Sequence, residues 1–351
     1  MVATEHRPPF LHSLGPLGPF PRVPLTDALE RRWLHYAFLS RDGKTGMVAN
    51  AAWLGPPADG GADDVRTTAI LLLYLHDSGW TASQFNASSS NQLWSAFRHP
   101  HGLAEPRPLH LRSVAGHPGV DLMLHRTSRP CTSQCAPFAG DHHLRWQSEP
   151  GVRVYGSMDF DGSRGMAVDA VGYHERVRGR WGWPELDEWV FGFANDLSGG
   201  DAGVPPEYAG VFTFIKPRQP NDATTASFML WHKGVVRRHF PRRRVSFAVR
   251  GELNRDAVQQ VPALAGLLGV RPMAPVPKRL VIAARMGNDW ATLEFEAEAA
   301  ARIVIPSETS LAPFSVHEVI GPCLLEGELD GVRFAIETRG IVEFAGGAGG
   351  D

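Results

Sequence analysis

From Thr292 onward, Leu293, Phe295, Ala297 and Ala299 alternate with Glu294, Glu296 and Glu298. A period of two would scatter the glutamates around a helix but gathers all three on one face of a strand. A strand is therefore expected here, although alanine and glutamate favour helices. Val245, Phe247 and Val249 alternate with Arg244, Ser246 and Arg250 in the same way. Val211 to Ile215 and Ile70 to Leu75 are short, continuous apolar runs of the buried-strand type. Asp42-Gly43, Ser78-Gly79, Asp161-Gly162, Lys233-Gly234 and Asp330-Gly331 fall where hairpin turns need positive φ. Helical patterning is confined to Asp27 to Leu34, one or two turns, and to Asp256 to Leu268, which Pro262 interrupts. The pattern predicts antiparallel β-structure with minor helix, and closing such sheets into barrels would remove their exposed edges.

Composition points the same way. Of 351 residues, 37 are glycine and 28 proline, against a usual combined share of about 12%. So many breakers suit short strands joined by tight turns. A net charge of −2 supplies no field to recruit nucleic acid or an anionic membrane. Three cysteines exclude a disulfide scaffold and fit a reducing compartment. No apolar run approaches the ~20 residues of a membrane span. A soluble, cytoplasmic monomer or homodimer is expected, with no nucleic-acid partner and no stable membrane insertion. Residues 1–24 read as a proline-rich arm without a signal-peptide core. Lys216 to Ala223 reads as a linker, dividing a first half at 25–215 from a second at 224–347. A strand, a glycine turn and a second strand open both halves, at Tyr36 to Trp53 and Phe228 to Phe240, which hints at a duplicated barrel.

The most unusual stretch runs from Gly172 through Tyr173, His174, Glu175, Arg176, Arg178 and Arg180 to Trp181, Trp183 and Trp189. Three of the ten tryptophans fall within nine residues, beside a carboxyl and an imidazole. A cavity wall needs aromatic faces with a few placed polar groups, which an exposed edge does not. In such a wall, desolvation would raise the Glu175 carboxyl and keep part of it protonated near neutral pH. The alternative is a structural strand in which Glu175 pairs with Arg178 or Arg180 beneath the tryptophans.

Gly172 to Gly179 resembles the Gly-Tyr-His-Asp-His-x-Trp-Gly signature of the carotenoid hydratase (hydroxyneurosporene synthase) and AttH-like family, whose relatives include Diels–Alderases. Trp33 to Trp53 with Arg41-Asp42-Gly43 resembles that family's opening hairpin. His142-His143 before Trp146 resembles the lead-in to the signature, and Gly340-Ile341-Val342-Glu343-Phe344 its closing Gly-x-x-Glu-aromatic strand. Glu175 stands in place of the family aspartate, Arg176 in place of the second histidine and Arg178 in place of tryptophan; alternatively Trp181-Gly182 supplies that last pair. The resemblance implies two lipocalin-like β-barrels in tandem, an apolar pocket for a hydrophobic small molecule, and no cofactor. It makes Glu175, His174 and Tyr173 the catalytic candidates. Trp181, Trp183, Arg176, Arg178, Trp33, Tyr36 and Glu343 become substrate contacts.

Two modes of action are expected of such a protein. Protonated Glu175 could deliver a proton to an alkene, with tryptophan faces stabilising the cation. Alternatively the pocket could fold a linear polyene into a reactive conformer while Tyr173 or Arg178 polarises a carbonyl. Because a fixed cation at Arg176 would repel a carbocation, a cofactor-independent cyclase is placed first, a hydratase second, and a non-catalytic carrier third. Cys131 and Cys135 with His142 and His143 match no closed zinc pattern and read as loop residues. Arg237, Arg238, Arg242, Arg243 and Arg244 read as a solvated hairpin edge rather than a nucleic-acid patch. No phosphate loop, dinucleotide fingerprint or nucleophile elbow is present.

Overall fold

The computed structural model describes residues 25–56, 65–85, 107–111, 118–161, 165–198, 203–219, 224–261, 275–305 and 314–347. The proline-rich arm, Gly162 and most of 256–268 beyond Val261 lie outside them. The first sheet contains β1 (Glu30–Ser40), β2 (Thr45–Leu54), β3 (Arg66–Leu75), β4 (Gly79–Phe85), β5 (Arg107–Leu111), β6 (Gly119–His125), β7 (Cys131–Pro137), β8 (His143–Asp159) and β9 (Gly165–Arg180). Its order is β4-β3-β2-β1-β9-β8-β6-β5, with β7 on β8. The second contains β10 (Leu186–Asn195), β11 (Tyr208–Pro217), β12 (Thr225–His232), β13 (Val235–Pro241), β14 (Val245–Glu252), β15 (Val258–Gln260), β16 (Pro277–Met286), β17 (Asp289–Glu296), β18 (Ala299–Ile305), β19 (Phe314–Leu329) and β20 (Val332–Gly347). It runs β13-β12-β11-β10-β20-β19-β17-β16-β14, with β18 on β19 and β15 on β18.

These two orders are one order used twice. β1 to β4 correspond to β10 to β13, the long pair β8/β9 to β19/β20, and β7 to β18. The duplication hinted at by the sequence is real, but its register differs from the one expected. The counterpart of the Tyr36 to Trp53 hairpin is β10/β11, not Phe228 to Phe240, which repeats β3/β4. The second sheet therefore begins at Leu186, and Lys216 and Pro217, where the linker was expected to start, belong to its strand β11, while 220–223 lie outside the described residues. The passage between sheets is instead a short 3-10 turn, Trp183–Glu185. Lys233-Gly234 (φ 51° and 74°) and Asp330-Gly331 (φ 53° and 79°) adopt the paired positive φ of tight hairpins.

Alternation divides the core into three layers. Leu71 and Leu73 of β3 pack with Leu109, Leu111 and Leu122 of β5 and β6, so the first sheet curls over its own inner face. Phe212, Phe228, Leu280, Leu293 and Val342 fill the inside of the second sheet. Its two end strands, β13 and β14, are joined only by Arg242–Arg244. The third layer lies between the sheets and takes Trp146, Tyr173, Trp181 and Val177 from one and Trp189, Phe191, Val211 and Ile320 from the other. β17 shows the expected strand, alternating buried Leu293 and Phe295 with half-buried Glu294 and exposed Glu296. Asp27 to Leu34 is not helical. A turn with Glu30 N–H donating to the Asp27 carbonyl (2.9 Å) leads straight into β1, because alternation continues to Leu39 and both neighbouring strands pair with it. Among the described residues no helix is long and apolar enough to cross a membrane.

Candidate active site

Gly172 explains why the signature opens on glycine. A Cβ there would stand 2.1 Å from the Ala37 carbonyl oxygen and 2.1 Å from Phe38, so only glycine lets β9 lie this close to β1. From Gly172 the strand alternates. Tyr173, Glu175 and Val177 face the second sheet, while His174, Arg176 and Arg178 face the other way.

Glu175 sits at the centre of the inter-sheet layer, 2% exposed. Three donors converge on its carboxyl. Trp33 Nε1–H donates to Oε1 at 3.1 Å, and Oε2 accepts from Trp146 Nε1–H and from Tyr173 O–H at 2.9 Å. The Tyr173 oxygen also lies 2.7 Å from Ser148 Oγ, and Ser148 Oγ lies 2.7 Å from Ser133 Oγ. Burial first, and the neighbouring Glu343 carboxyl second, push Glu175 up to about 8 against the lowering effect of the three donors. Burial, followed by the Glu175 carboxyl, pushes Tyr173 well above the ordinary phenol range, so it remains a donor.

The duplicated topology sets a second carboxyl opposite the first. In the first sheet Asn50, His35, Glu175 and Ser148 stand side by side across β2, β1, β9 and β8. In the second, Thr213, Phe191, Glu343 and Glu318 stand side by side across β11, β10, β20 and β19. Glu343 is the counterpart of Glu175, and it too accepts an indole N–H, from Trp189, the counterpart of Trp33. Glu318 and Glu343 hydrogen-bond to each other, and burial raises both. His35 is brought against this pair, and burial lowers its ring to about 3, leaving it neutral. Trp33 further packs on Trp146, Trp181 and Trp189, at 6.2, 5.8 and 6.5 Å between ring centroids.

The expected site residues separate accordingly. Glu175, Tyr173, Trp33, Trp181, Trp183 and Glu343 lie in the inter-sheet layer. His174 does not: it stacks on Tyr36 at 4.1 Å inside the first sheet and donates from Nδ1 to the His35 carbonyl at 3.0 Å. Strand alternation forbids adjacent residues from sharing a face. Arg176 also faces away and donates to Gln147 Oε1 at 2.8 Å, and Arg178 is exposed. Among the described residues Glu175 has no arginine partner, and Arg180 pairs with Asp27 (3.0 Å) and Asp141 (2.6 Å). We expect His174→Ala to lower the melting temperature, as a loss of about 2–4 kcal/mol for a truncated core ring predicts, with no change in the pH dependence of any activity. A shifted pH profile with unchanged stability would place His174 in the chemistry.

Cys131, Cys135, His142 and His143 do not assemble. Cys131 is buried and Cys135 exposed on β7, and His142 binds Glu185 at 2.7 Å. Arg237 and Arg238 pair with Asp330 and Asp289 at the sheet end, and Arg242 to Arg244 are exposed. His35, Ser148 and Glu318 were not singled out from the sequence. A usable signal existed, since Gly172-x-x-Glu175 and Gly340-x-x-Glu343 are the same motif on corresponding strands.

No family model and no curated protein matches the sequence. Solved structures are. An AttH candidate from Nitrosomonas europaea superposes with a TM-score of 0.60 at 17% identity, covering 90% of this chain and 92% of that one. CghA, crystallised with Sch210972, gives 0.58 at 10% identity over 91% and 89%. Kievitone hydratase from Nectria haematococca gives 0.54 at 11% identity over 91% and 90%. The fold is the tandem lipocalin-like one. It is the fold that the likeness of Gly172 to Gly179 implied, and it extends over nearly the full length of all three.

Proposed function

We propose that this protein is an enzyme that protonates an alkene of a hydrophobic polyene, isoprenoid or polyketide-like substrate, with ring closure or hydration as the outcome. The observation that carries the reading is Glu175: a buried carboxyl held by two indoles and a phenol and, among the described residues, by no cation. Its proton passes to one alkene carbon, leaving a carbocation and the Glu175 carboxylate. The cation is captured by an internal alkene, after which a neighbouring C–H gives its proton back to Glu175, or by water, whose spare proton returns there. Either way the carboxyl is regenerated; ring closure consumes no co-reactant, and hydration consumes one water. Tryptophan faces favour the cation by ~0.5–2 kcal/mol each.

The orientation of Arg176 removes the argument that set ring closure ahead of hydration, since its guanidinium lies on the far face of β9. Two of the structural neighbours are consistent with chemistry on small organic molecules: one is named a hydratase, and another was crystallised with a small molecule. The test is incubation of the purified chain with a panel of linear polyenes, isoprenoids and polyketide-type alkenes, read by mass spectrometry. Hydration adds one water to the mass and cyclisation leaves it unchanged with altered retention. Binding without conversion across the panel would favour a carrier.

A further inference from the structure

We infer that His35, Glu318 and Glu343 form a binding site for one divalent cation of the zinc class, bridging the two sheets. One ligating atom from each lies within 4.8 Å of the others, and all three residues are buried. In a tetrahedral site with bonds of about 2.0–2.2 Å, ligand atoms stand about 3.4 Å apart. Side-chain rotations moving these atoms by about an ångström complete the set.

Two further observations concern members of this same cluster. Among the described residues, His35 Nε2 and Glu318 Oε2 each have no hydrogen-bond partner, on side chains that are 2% exposed. Buried polar atoms are rarely left so. The contrast with the first carboxyl is direct: Glu175 alone receives three donors, whereas the four oxygens of Glu318 and Glu343 receive one indole and the hydrogen bond between them. A cation supplies what that pair lacks.

The outer contacts suit a metal as well. The other ring nitrogen of His35, Nδ1, lies 3.4 Å from the amide nitrogen of Asn50, Nδ2. With the amide turned so that its oxygen faces the ring, Nδ1–H donates and the Nε2 lone pair is free for the ion. Trp189 holds Glu343 from behind. One imidazole and two carboxylates without a thiolate suit Zn²⁺ and its nitrogen- and oxygen-binding neighbours better than a soft ion.

The experiment is metal titration of the full chain after dialysis against chelator, with Zn²⁺ followed by calorimetry and Co²⁺ by visible absorption. We expect one equivalent bound, with affinity reduced at least about tenfold in Glu318→Gln and in His35→Gln, and unchanged in Cys131→Ser and Cys135→Ser. Glu318→Gln keeps the shape of the side chain and leaves an amide that can still hydrogen-bond Glu343, so its fold is retained. Binding of less than one equivalent, equal affinity in Glu318→Gln, or a Co²⁺ spectrum with thiolate character would each overturn the site. Metal binding is read without turnover, so its failure is distinct from failure of the Glu175 reading.

Discussion

Replacing Glu175 by glutamine is expected to lower turnover by about two to four orders of magnitude, the usual contribution of a positioned acid. The amide oxygen can still accept from Trp146 and Tyr173, so the site keeps its shape. The amide nitrogen then meets the Trp33 indole N–H, donor against donor, and that conflict costs about 1–3 kcal/mol. What the variant cannot do is release a proton to carbon. The comparison to make is kcat for the parent and the variant on whichever alkene of the panel is converted, with thermal unfolding measured on both. Ligand affinity should change little, because the tryptophan faces remain. Turnover within about threefold of the parent, in a folded variant, would remove Glu175 as the acid. Conversion would then have to come from the shape of the inter-sheet layer alone.

Much of the fold was written in local pattern. Leu293 and Phe295 alternate with glutamates because one face of β17 is buried and the other half-open, and Lys233-Gly234 and Asp330-Gly331 turn where the sequence places them. The candidate acid was legible too, since a glutamate between a tyrosine and clustered tryptophans has little reason to be solvated. What local pattern does not carry is which strands meet. Trp33 and Trp146 reach Glu175 across 142 and 29 residues of chain, a distance no window spans. His174 and Arg176 adjoin Glu175 in sequence, but in a strand adjacency places side chains on opposite faces. The hairpins do not mark the repeat, because turn residues are similar everywhere. It was visible in the Gly-x-x-Glu motif, where close backbone approach and a buried carboxyl both leave a mark.

Stability should fall with rising pH in a way that Glu175→Gln removes. The carboxyl has an ordinary value of 4.5 and is pushed up to about 8 in the fold. Between those values the folded chain holds a proton that the unfolded chain has released. The stabilisation is thus complete below about 4.5, declines by ~1.4 kcal/mol per pH unit through the window, and is gone above about 8. The groups facing Glu175 do not mask this. Glu318 and Glu343 are raised by burial and slope in the same direction. His35 is lowered by burial, so its contribution rises with pH up to its ordinary value, and Tyr173 acts only above the phenol range. To first order these terms are common to both proteins and cancel in the difference. In chelator-treated samples, the melting-temperature advantage of the parent over Glu175→Gln should therefore shrink steadily from about pH 5 to about pH 8 and then level off. A difference independent of pH would mean that the three donors outweigh burial and hold a carboxylate in the fold. Glu175 would then be a resident base rather than an acid, and the chemistry at this site would have to begin by taking a proton from the substrate.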